Sequence, residues 1–241
     1  MTFSILAYDQ KTGTYGGAAA TGSLCVGGWV LRGDAESGLS ASQGTSPSTL
    51  WGTGVLELMK AGRTASEAVE TVIDSDEGRA HRQLAALGRD GSVAAFTGHD
   101  SLPHAGSISG TGVIAAGNML SNDAVLPAIL GRFQETGGEM PDRLLAALVA
   151  GQEAGGDSRG LLSAALLVVS RSTAPLNLRV DYAEDPLSSL AALYQRSKSE
   201  PYRSWTRLVP TLEHPHRSGS AAEDGPVGER RKTVSGLGSD L

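Results

Sequence analysis

Apolar and polar positions alternate at the start of the chain with the two-residue period of a β-strand. Residues 2–8 and 14–21 flank the polar segment 9–13, so together they predict a hairpin. Residues 38–44 are small and partly apolar, and they form a weaker third strand candidate. The first part of the chain is therefore expected to be mainly β-structure.

Helical spacing follows in two segments. Residues 50–59 predict a helix, although Gly52 and Gly54 weaken its first turn. Thr64 stands three residues before Glu67, which is the pattern of a capping box, and apolar residues follow at intervals of three and four. The second of these helices is expected to lie on a sheet.

The rest of the apolar pattern alternates between strands and helices. The step Asp90-Gly91 favours a tight turn and predicts a second hairpin. Residues 163–169 are almost continuously apolar, which is typical of a strand covered on both faces. Pro141 and Pro186 suit the first turn of a helix. The other expected elements are strands at 83–87, 92–96, 108–116 and 177–182, and helices at 122–134, at 141–154 and from 186 onward.

The composition changes at about Ser199, beyond which Pro, Ser, Gly, His and charged residues replace the apolar period. Such a segment cannot bury enough surface to offset its ordering entropy. The sequence thus predicts one domain over residues 1–198 and a disordered or irregular tail over 199–241. The order of strands, helices, strands and helix indicates an α+β fold in which helices cover antiparallel hairpins on each face.

Composition limits the class of partner more than it limits the chemistry. Of the 241 residues, 40% are hydrophobic and 19% are charged, as in ordinary globular proteins with a core. A net charge of -6 argues against nucleic acid or an anionic membrane surface as the main partner. Cys25 is the only cysteine, and neither a metal site nor a cofactor is expected. With no long apolar run and no signal-like N-terminus, the expected location is cytoplasmic.

Thr2 is the most informative single residue. It directly follows Met1, and a second residue as small as Thr permits excision of Met1. Thr2 then carries both a hydroxyl nucleophile and a free α-amine, which titrates near pH 8 and can act as the base. Many cytosolic chains also begin with Met-Thr for no chemical reason, so the remaining sequence must decide.

Seven short blocks resemble the DUF1028 family and return in the family's order. They are TFSI at 2–5, ASQ at 41–43, HRQL at 81–84, VAAFTG at 93–98, GNML at 117–120, AGGDSRG at 154–160 and SAALLV at 163–168. The pattern extends from residue 2 to about 192. This family is similar in fold to the N-terminal nucleophile (Ntn) hydrolases, which form a four-layer αββα sandwich. The resemblance implies that Thr2, exposed by processing, attacks a carbonyl carbon.

Six positions depart from the family pattern. Ser101, His104 and Ser107 stand where Cys, Trp and His are common, Ala116 and Leu162 stand where Gln is common, and Gly22 replaces a larger, often basic residue. These changes imply an altered substrate pocket around a retained Thr2. Both a specialised paralogue and a decayed enzyme are consistent with them.

Three residues are assigned catalytic roles. Thr2 Oγ1 is the nucleophile, and the Thr2 amine moves the proton directly or through a water. Asn118, together with the Gly117 backbone N–H, is the candidate group for binding the oxyanion, and the alternative is that the pair simply forms a turn. Gln43 ends its strand, where it is either an orienting group or an exposed polar residue.

The candidate substrate-binding residues lie in turns and glycine-rich loops. His81 and Arg82 precede a strand and could hold a substrate carboxylate or orient the amine. Asp157 and Arg159 are two residues apart, so Arg159 could bind an anionic substrate or simply form an ion pair with Asp157. The full set is His81, Arg82, Ser101, Gly117, Asp157 and Arg159.

These observations predict an Ntn-type amidohydrolase that cleaves an amide or cyclic amide C–N bond of a small molecule through a Thr2 acyl-enzyme. One alternative is acyl transfer or ring formation in a specialised, secondary-metabolite pathway, which exclusion of water would favour. Another is a noncatalytic binding protein that retains the fold, which a retained Met1 would favour. A homodimer is a further expectation, because enzymes of this kind often associate symmetrically.

Overall fold

The computed structural model describes residues 2–101 and 104–218. Its strands are β1 (Thr2–Asp9), β2 (Thr14–Thr21), β3 (Leu31–Asp34), β4 (Gly38–Gly44), β5 (Arg82–Leu87), β6 (Val93–Thr97), β7 (Gly106–Gly110), β8 (Val113–Asn118), β9 (Ser163–Val169) and β10 (Leu176–Val180). Its helices are α1 (Val26–Trp29), α2 (Thr49–Lys60), α3 (Ala65–Asp74), α4 (Val125–Glu135), α5 (Met140–Glu153), α6 (Pro186–Ser197) and α7 (Tyr202–Thr206), with a 3₁₀ turn at Arg79–His81.

The strands form two antiparallel sheets that face each other. The larger sheet has the order β10-β9-β2-β1-β8-β7 and the smaller one has the order β3-β4-β5-β6. Helices α4, α5 and α6 pack on the outer face of the larger sheet, and α2 and α3 pack on the outer face of the smaller sheet. The predicted α+β class and the four-layer αββα order are both confirmed.

Strand alternation decides which layer each side chain enters. In β1, Phe3, Ile5 and Ala7 pack against the helices, whereas Leu6 packs between the two sheets. Because successive side chains of a strand point to opposite faces, Thr2 shares the inter-sheet face with Leu6. The position of Thr2 is thus set by the same alternation that builds the core.

Local signals for helix ends are confirmed. The Thr64 side chain accepts a hydrogen bond from Glu67 N at 3.2 Å, and Glu67 Oε2 accepts one from Thr64 N at 2.9 Å, which completes the capping box of α3. Asp185 caps α6 by accepting from Ser188 N at 3.1 Å. Such caps satisfy N–H groups that a helix leaves unpaired in its first turn.

One predicted strand is wrong. The segment 108–116 is not a single strand but the hairpin of β7 and β8, in which Ile108 is paired with Ala115. Gly112, with a φ of 66°, forms part of the turn between them. The sequence also gave no indication of α1 or β3, which are only four residues each. Short elements of this kind leave too few positions for a period to be recognised.

The segment after residue 198 begins with ordered structure. It contains α7, and Glu213 N donates to Arg171 O at 3.1 Å. The rest of the predicted tail, 219–241, lies outside the described residues, so the boundary at 198 stays a prediction. Among the helices that the structure describes, none has the length and apolar character needed to cross a membrane.

Candidate active site

Thr2 begins β1, an inner strand of the larger sheet, and both of its neighbours in the sheet are polar. It is paired with Thr21 on β2 and with Asn118 on β8. Only 8% of Thr2 is exposed, and its Oγ1 donates a hydrogen bond to Thr21 Oγ1 at 3.1 Å. The sheet register therefore holds this hydroxyl in one place without help from a flexible loop.

The smaller sheet contributes two glutamines opposite Thr2. Gln43 and Gln83 are cross-strand partners on β4 and β5, and both are buried. They continue the inter-sheet positions occupied by Ala41 and Ala85. Near Thr2, the side-chain amides of Gln43 and Gln83 thus replace the apolar side chains that fill the rest of the layer between the sheets.

Gln83 is the centre of a network of amides. Its Nε2 donates to two backbone carbonyl oxygens, those of Gly106 at 3.0 Å and Gly117 at 2.9 Å. Its Oε1 accepts from Gln43 Nε2 at 2.7 Å and from Asn118 Nδ2 at 3.3 Å. The Gln83 side chain therefore joins both sheets below the nucleophile.

The two amides bound to Gln83 lie against Thr2. Gln43 Nε2 is 3.5 Å from the Thr2 carbonyl oxygen, and Asn118 is the strand partner of Thr2. Gln43 Oε1 and Asn118 Oδ1 are buried and have no hydrogen-bond partner within residues 2–101 and 104–218. The predicted catalytic residues Thr2, Gln43 and Asn118 are therefore together, with two acceptor oxygens still to be satisfied.

A cavity of about 590 Å³ opens at Thr2, which is a suitable volume for a small ligand. Most of its lining comes from the segments that follow β2 and β4, the first of which includes α1. The polar lining residues are Thr2, Thr21, Ser23, Gln43, Thr45, Ser46 and Arg159, the apolar ones are Leu24, Val26, Trp29, Val30, Pro47 and Met119, and Gly44 also lines the cavity.

Arg159 is the single charged residue among the described residues that line this cavity, and it forms an ion pair with Asp157. Arg159 Nη2 is 3.0 Å from Asp157 Oδ2, and Arg159 Nε is 3.2 Å from Asp157 Oδ1. The Asp157 side chain is fully buried and also accepts from Gly22 N at 2.6 Å. The predicted pair thus fixes the loop after β2 and places an arginine at the cavity.

Gly22 fits this arrangement because it has no side chain. A Cβ at this position would lie 2.5 Å from Gly160 O and 2.8 Å from Asp157 Oδ2. A larger residue would therefore push the loop away from Asp157. Gly22, a departure from the resembled family pattern, thus lies between the cavity-lining residues Thr21 and Ser23.

Of the six predicted substrate-binding residues, five lie outside the described lining of this cavity, and Arg159 lies in it. Arg82 donates through Nε to Asp76 Oδ2 at 2.7 Å and through Nη1 to Ser46 O at 2.6 Å, so it supports the cavity wall from behind. His81 is exposed. The Ser101 Oγ is buried without a partner in the part of the chain that the structure describes. Their roles in substrate binding stay predictions.

Gly117 and Asn118 are both hydrogen-bonded to the side chain of Gln83. The Gly117 carbonyl oxygen accepts from Gln83, and the Asn118 amide nitrogen donates to Gln83. An oxyanion role for the Asn118 side chain stays a prediction, and it would use the second N–H of Nδ2, since one N–H is bonded to Gln83. Met119 follows with a φ of 57°, which places its side chain in the lining of the cavity.

Sequence reasoning missed Gln83 and Thr21 as residues of the site. Gln83 is polar within the otherwise apolar strand segment Gln83-Leu84-Ala85-Ala86-Leu87, and Gln43 is polar at the end of the strand paired with it. Two amides at inward-facing positions were the available signal. Thr21 gave none, because a threonine at a strand end is common.

Comparison with known proteins identifies the family. The crystal structure of protein SPO2555 from Silicibacter pomeroyi, described as DUF1028, is 49% identical and superposes with a TM-score of 0.86 over 90% of this chain and 98% of that one. Eukaryotic HslV from Trypanosoma brucei is 12% identical with a TM-score of 0.44, over 70% of this chain and 99% of that one, a likeness too low to support any inference. No curated protein matches the chain. The model of the family of unknown function DUF1028 matches residues 2–190, and the chain belongs to this family.

Proposed function

We propose that the protein is an Ntn-type amidohydrolase in which Thr2 cleaves an amide or cyclic amide bond of a small molecule. The observation that carries this proposal is the placement of the Thr2 hydroxyl at the head of an inner strand, at the wall of a cavity of about 590 Å³. A buried network of neutral amides surrounds it. Such an arrangement suits acyl chemistry at a fixed nucleophile.

The reaction begins with removal of Met1, which converts the Thr2 peptide nitrogen into an α-amine. Thr2 Oγ1 attacks the substrate carbonyl carbon while its proton passes to the amine, directly or through a water. The tetrahedral intermediate collapses as the C–N bond breaks, and the amine returns the proton to the leaving nitrogen. Water then hydrolyses the Thr2 ester, which releases the acid and restores the hydroxyl.

The cavity favours a substrate that is uncharged near the scissile bond. Arg159 is already paired with Asp157, so it adds little net charge to the wall. Leu24 and Trp29 line the cavity and are 53% and 52% exposed, and large apolar side chains gain from contact with an apolar or planar group. We therefore propose an amide with an apolar or aromatic substituent.

The first test is the intact mass of the untagged protein. Loss of one methionine is expected, followed by a mass adduct when the protein is treated with a small β-lactone, which traps an acyl group on a nucleophilic hydroxyl. Thr2→Ala is the matched control, because it retains the amine and a small second residue but lacks the hydroxyl. Complete retention of Met1 would overturn the proposed mechanism and favour the noncatalytic binding protein.

Acyl transfer or ring formation uses the same acyl-enzyme but a different acceptor. A panel of small amides and lactams, each assayed with and without an added primary amine, separates the two outcomes. Free acid as the main product supports hydrolysis. A new amide or lactam as the main product would replace the proposed hydrolase with an acyltransferase.

A further inference from the structure

We propose that Gln83 is a positioning residue whose amide orients those of Gln43 and Asn118 so that their oxygens receive the two N–H groups of the Thr2 amine. This inference rests on the proposed function, because it requires an amine at Thr2. It assigns a role to Gln83, which is not among the described residues that line the cavity. Gln83 would act through its neighbours and not by touching the substrate.

The orientation of the Gln83 amide follows from its partners. Backbone carbonyl oxygens can only accept hydrogen bonds, so the nitrogen of Gln83 must face Gly106 O and Gly117 O, at 3.0 Å and 2.9 Å. A flipped Gln83 would place its oxygen against both carbonyl oxygens. The Gln83 oxygen must therefore face Gln43 and Asn118.

This orientation dictates the next two amides. Gln83 Oε1 can only accept, so Gln43 and Asn118 both present their nitrogens to it, at 2.7 Å and 3.3 Å. Their own oxygens must then point away from Gln83. These two oxygens, Gln43 Oε1 and Asn118 Oδ1, are the ones that have no partner within residues 2–101 and 104–218.

Buried carbonyl oxygens without donors are rare and require an explanation. The two residues that carry them are the strand partner of Thr2 and the residue whose amide is 3.5 Å from the Thr2 carbonyl. Before processing, the Thr2 nitrogen has a single N–H. Excision of Met1 turns this nitrogen into an amine with two N–H groups when neutral and three when protonated, and we infer that two of them satisfy the two oxygens.

The same arrangement would also direct the lone pair of the Thr2 amine towards the Thr2 hydroxyl. A neutral amine has two N–H groups and one lone pair. If Gln43 Oε1 and Asn118 Oδ1 accept the two N–H groups, the lone pair is left to receive the proton of Thr2 Oγ1. The protonated amine would be stabilised by the same two oxygens, so the network raises the pKa of the Thr2 amine above the value it has without them.

Few other ionisable groups near Thr2 could shift the pKa of its amine. Arg159 is the one charged residue among the described residues lining the cavity, and Asp157 is buried behind it. The elements packed around Thr2 contribute Thr21, Gln43 and Asn118, which do not titrate near neutral pH. A change in the titration of the amine on altering Gln83 would therefore report the amide network.

The test compares Gln83→Met with Thr97→Val. The methionine removes every hydrogen bond of the Gln83 side chain, whereas the valine removes only the Thr97 Oγ1 acceptor at 2.8 Å and leaves both carbonyl oxygens to orient the amide. The pH dependence of acetylation of the Thr2 amine, read as the mass of the N-terminal peptide after hydroxylamine removes esters, gives the amine pKa without any substrate. The expected result is a lower pKa in Gln83→Met and an unchanged pKa in Thr97→Val.

Turnover supplies the second readout. In Gln83→Met, kcat is expected to fall about tenfold or more with KM nearly unchanged, because the amine is misdirected while no residue that lines the cavity is replaced. If Gln83→Met does not fold, Gln43→Met tests the same network by removing one of the two oxygens, and it is expected to lower the amine pKa. A wild-type amine pKa in a folded Gln83→Met, or in Gln43→Met, would overturn the inference whatever the value of kcat.

The outcomes separate this inference from the proposed function. A shifted amine pKa without turnover of any amide would retain the network and reject the hydrolase. Turnover with an unshifted pKa would retain the hydrolase and reject the role of Gln83. Retention of Met1 in the wild-type protein would reject both, and intact mass detects it before either variant is made.

Discussion

The two ends of the layer between the sheets differ in chemistry although the same strands build them. At one end, Leu39 and Leu87 are fully buried, and the rings of Tyr8 and Tyr15 stack with centroids 4.6 Å apart. At the other end, the same four strands present Gln43, Gln83, Thr2 and Thr21, which are also buried. Polar groups can thus be placed inside this fold at strand ends without any change in its layers, provided that they bond to one another.

The apolar end is stabilised by side-chain packing, and the polar end is stabilised by directional hydrogen bonds. Apolar contacts depend on volume and tolerate small rotations, whereas an amide must present its nitrogen and oxygen to the right partners. The first end is therefore expected to determine stability and the second end to determine chemistry. Substitutions at the two ends should separate these properties.

The largest effect is expected from Thr2→Ala at the polar end. Turnover should fall by about a thousandfold or more, because the nucleophile is removed, while the free energy of unfolding changes little. The measurement is kcat/KM on any amide that the wild-type protein hydrolyses. Thr2→Ser retains a hydroxyl and should keep most of the activity, and comparable activity in Thr2→Ala would place the nucleophile elsewhere.

Leu39→Ala is the matching change at the apolar end. Leu39 is fully buried, so truncation should lower the free energy of unfolding by about 2–5 kcal/mol, measured by urea titration. The folded fraction should retain the kcat/KM of the wild-type protein. Leu50→Ala is the control, since Leu50 is 79% exposed, and an equal loss of stability there would mean that burial does not set the effect.

Trp29→Ala sharpens the comparison within the cavity. Loss of its apolar surface should raise KM about tenfold for amides with aromatic substituents and leave acetamide-sized substrates unaffected. Stability should change little, because Trp29 is half exposed. Trp205→Ala provides the control on α7, where Trp205 is similarly exposed. Equal KM changes for large and small amides would contradict an apolar subsite.

The smallest effect is expected at the ion pair of Asp76 and Arg82, as a change in the free energy of unfolding at low pH. The hydrogen bond from Arg82 lowers the pKa of Asp76, so this carboxylate stabilises the fold above its unfolded pKa and the contribution is lost as pH falls through the folded value. Because the two side chains are still 21% and 19% exposed and solvent screens the pair, we expect less than about 1 kcal/mol. Urea titrations at pH 7 and pH 3 should show a smaller acid-induced loss in Asp76→Asn than in the wild-type protein. An identical loss in the two proteins would mean that the Asp76–Arg82 pair does not contribute to the pH dependence of stability.

Local patterns in the sequence predicted local structure well. The Thr64 capping box depends on residues three apart, and the alternation in β1 depends on neighbours, so both could be recognised in a short window. The β7–β8 hairpin was missed because a run of small residues around Gly110 and Gly112 resembles one continuous strand. Alternation identifies faces, but it does not show where a chain of small residues turns.

The amide network could not be predicted in the same way. Gln83 meets Gln43 and Asn118 across 40 and 35 residues of sequence, and these contacts depend on strand order and on the facing of two sheets. The sequence indicated Thr2, Gln43 and Asn118 through resemblance and position at strand ends. It did not indicate which atom of each amide faces which neighbour, since that follows only from fixed partners such as Gly106 O.

The register of β1 has a practical consequence for preparing the protein. Thr2 is held between Thr21 and Asn118 by strand pairing, so extra residues ahead of it need not disturb the fold. An affinity tag, or a single residue left by a processing protease, would nevertheless replace the amine with a peptide group. Such a preparation would fold, crystallise and bind ligands while lacking the proposed base, so assays for this protein require a tag at the carboxyl terminus and a verified amino terminus.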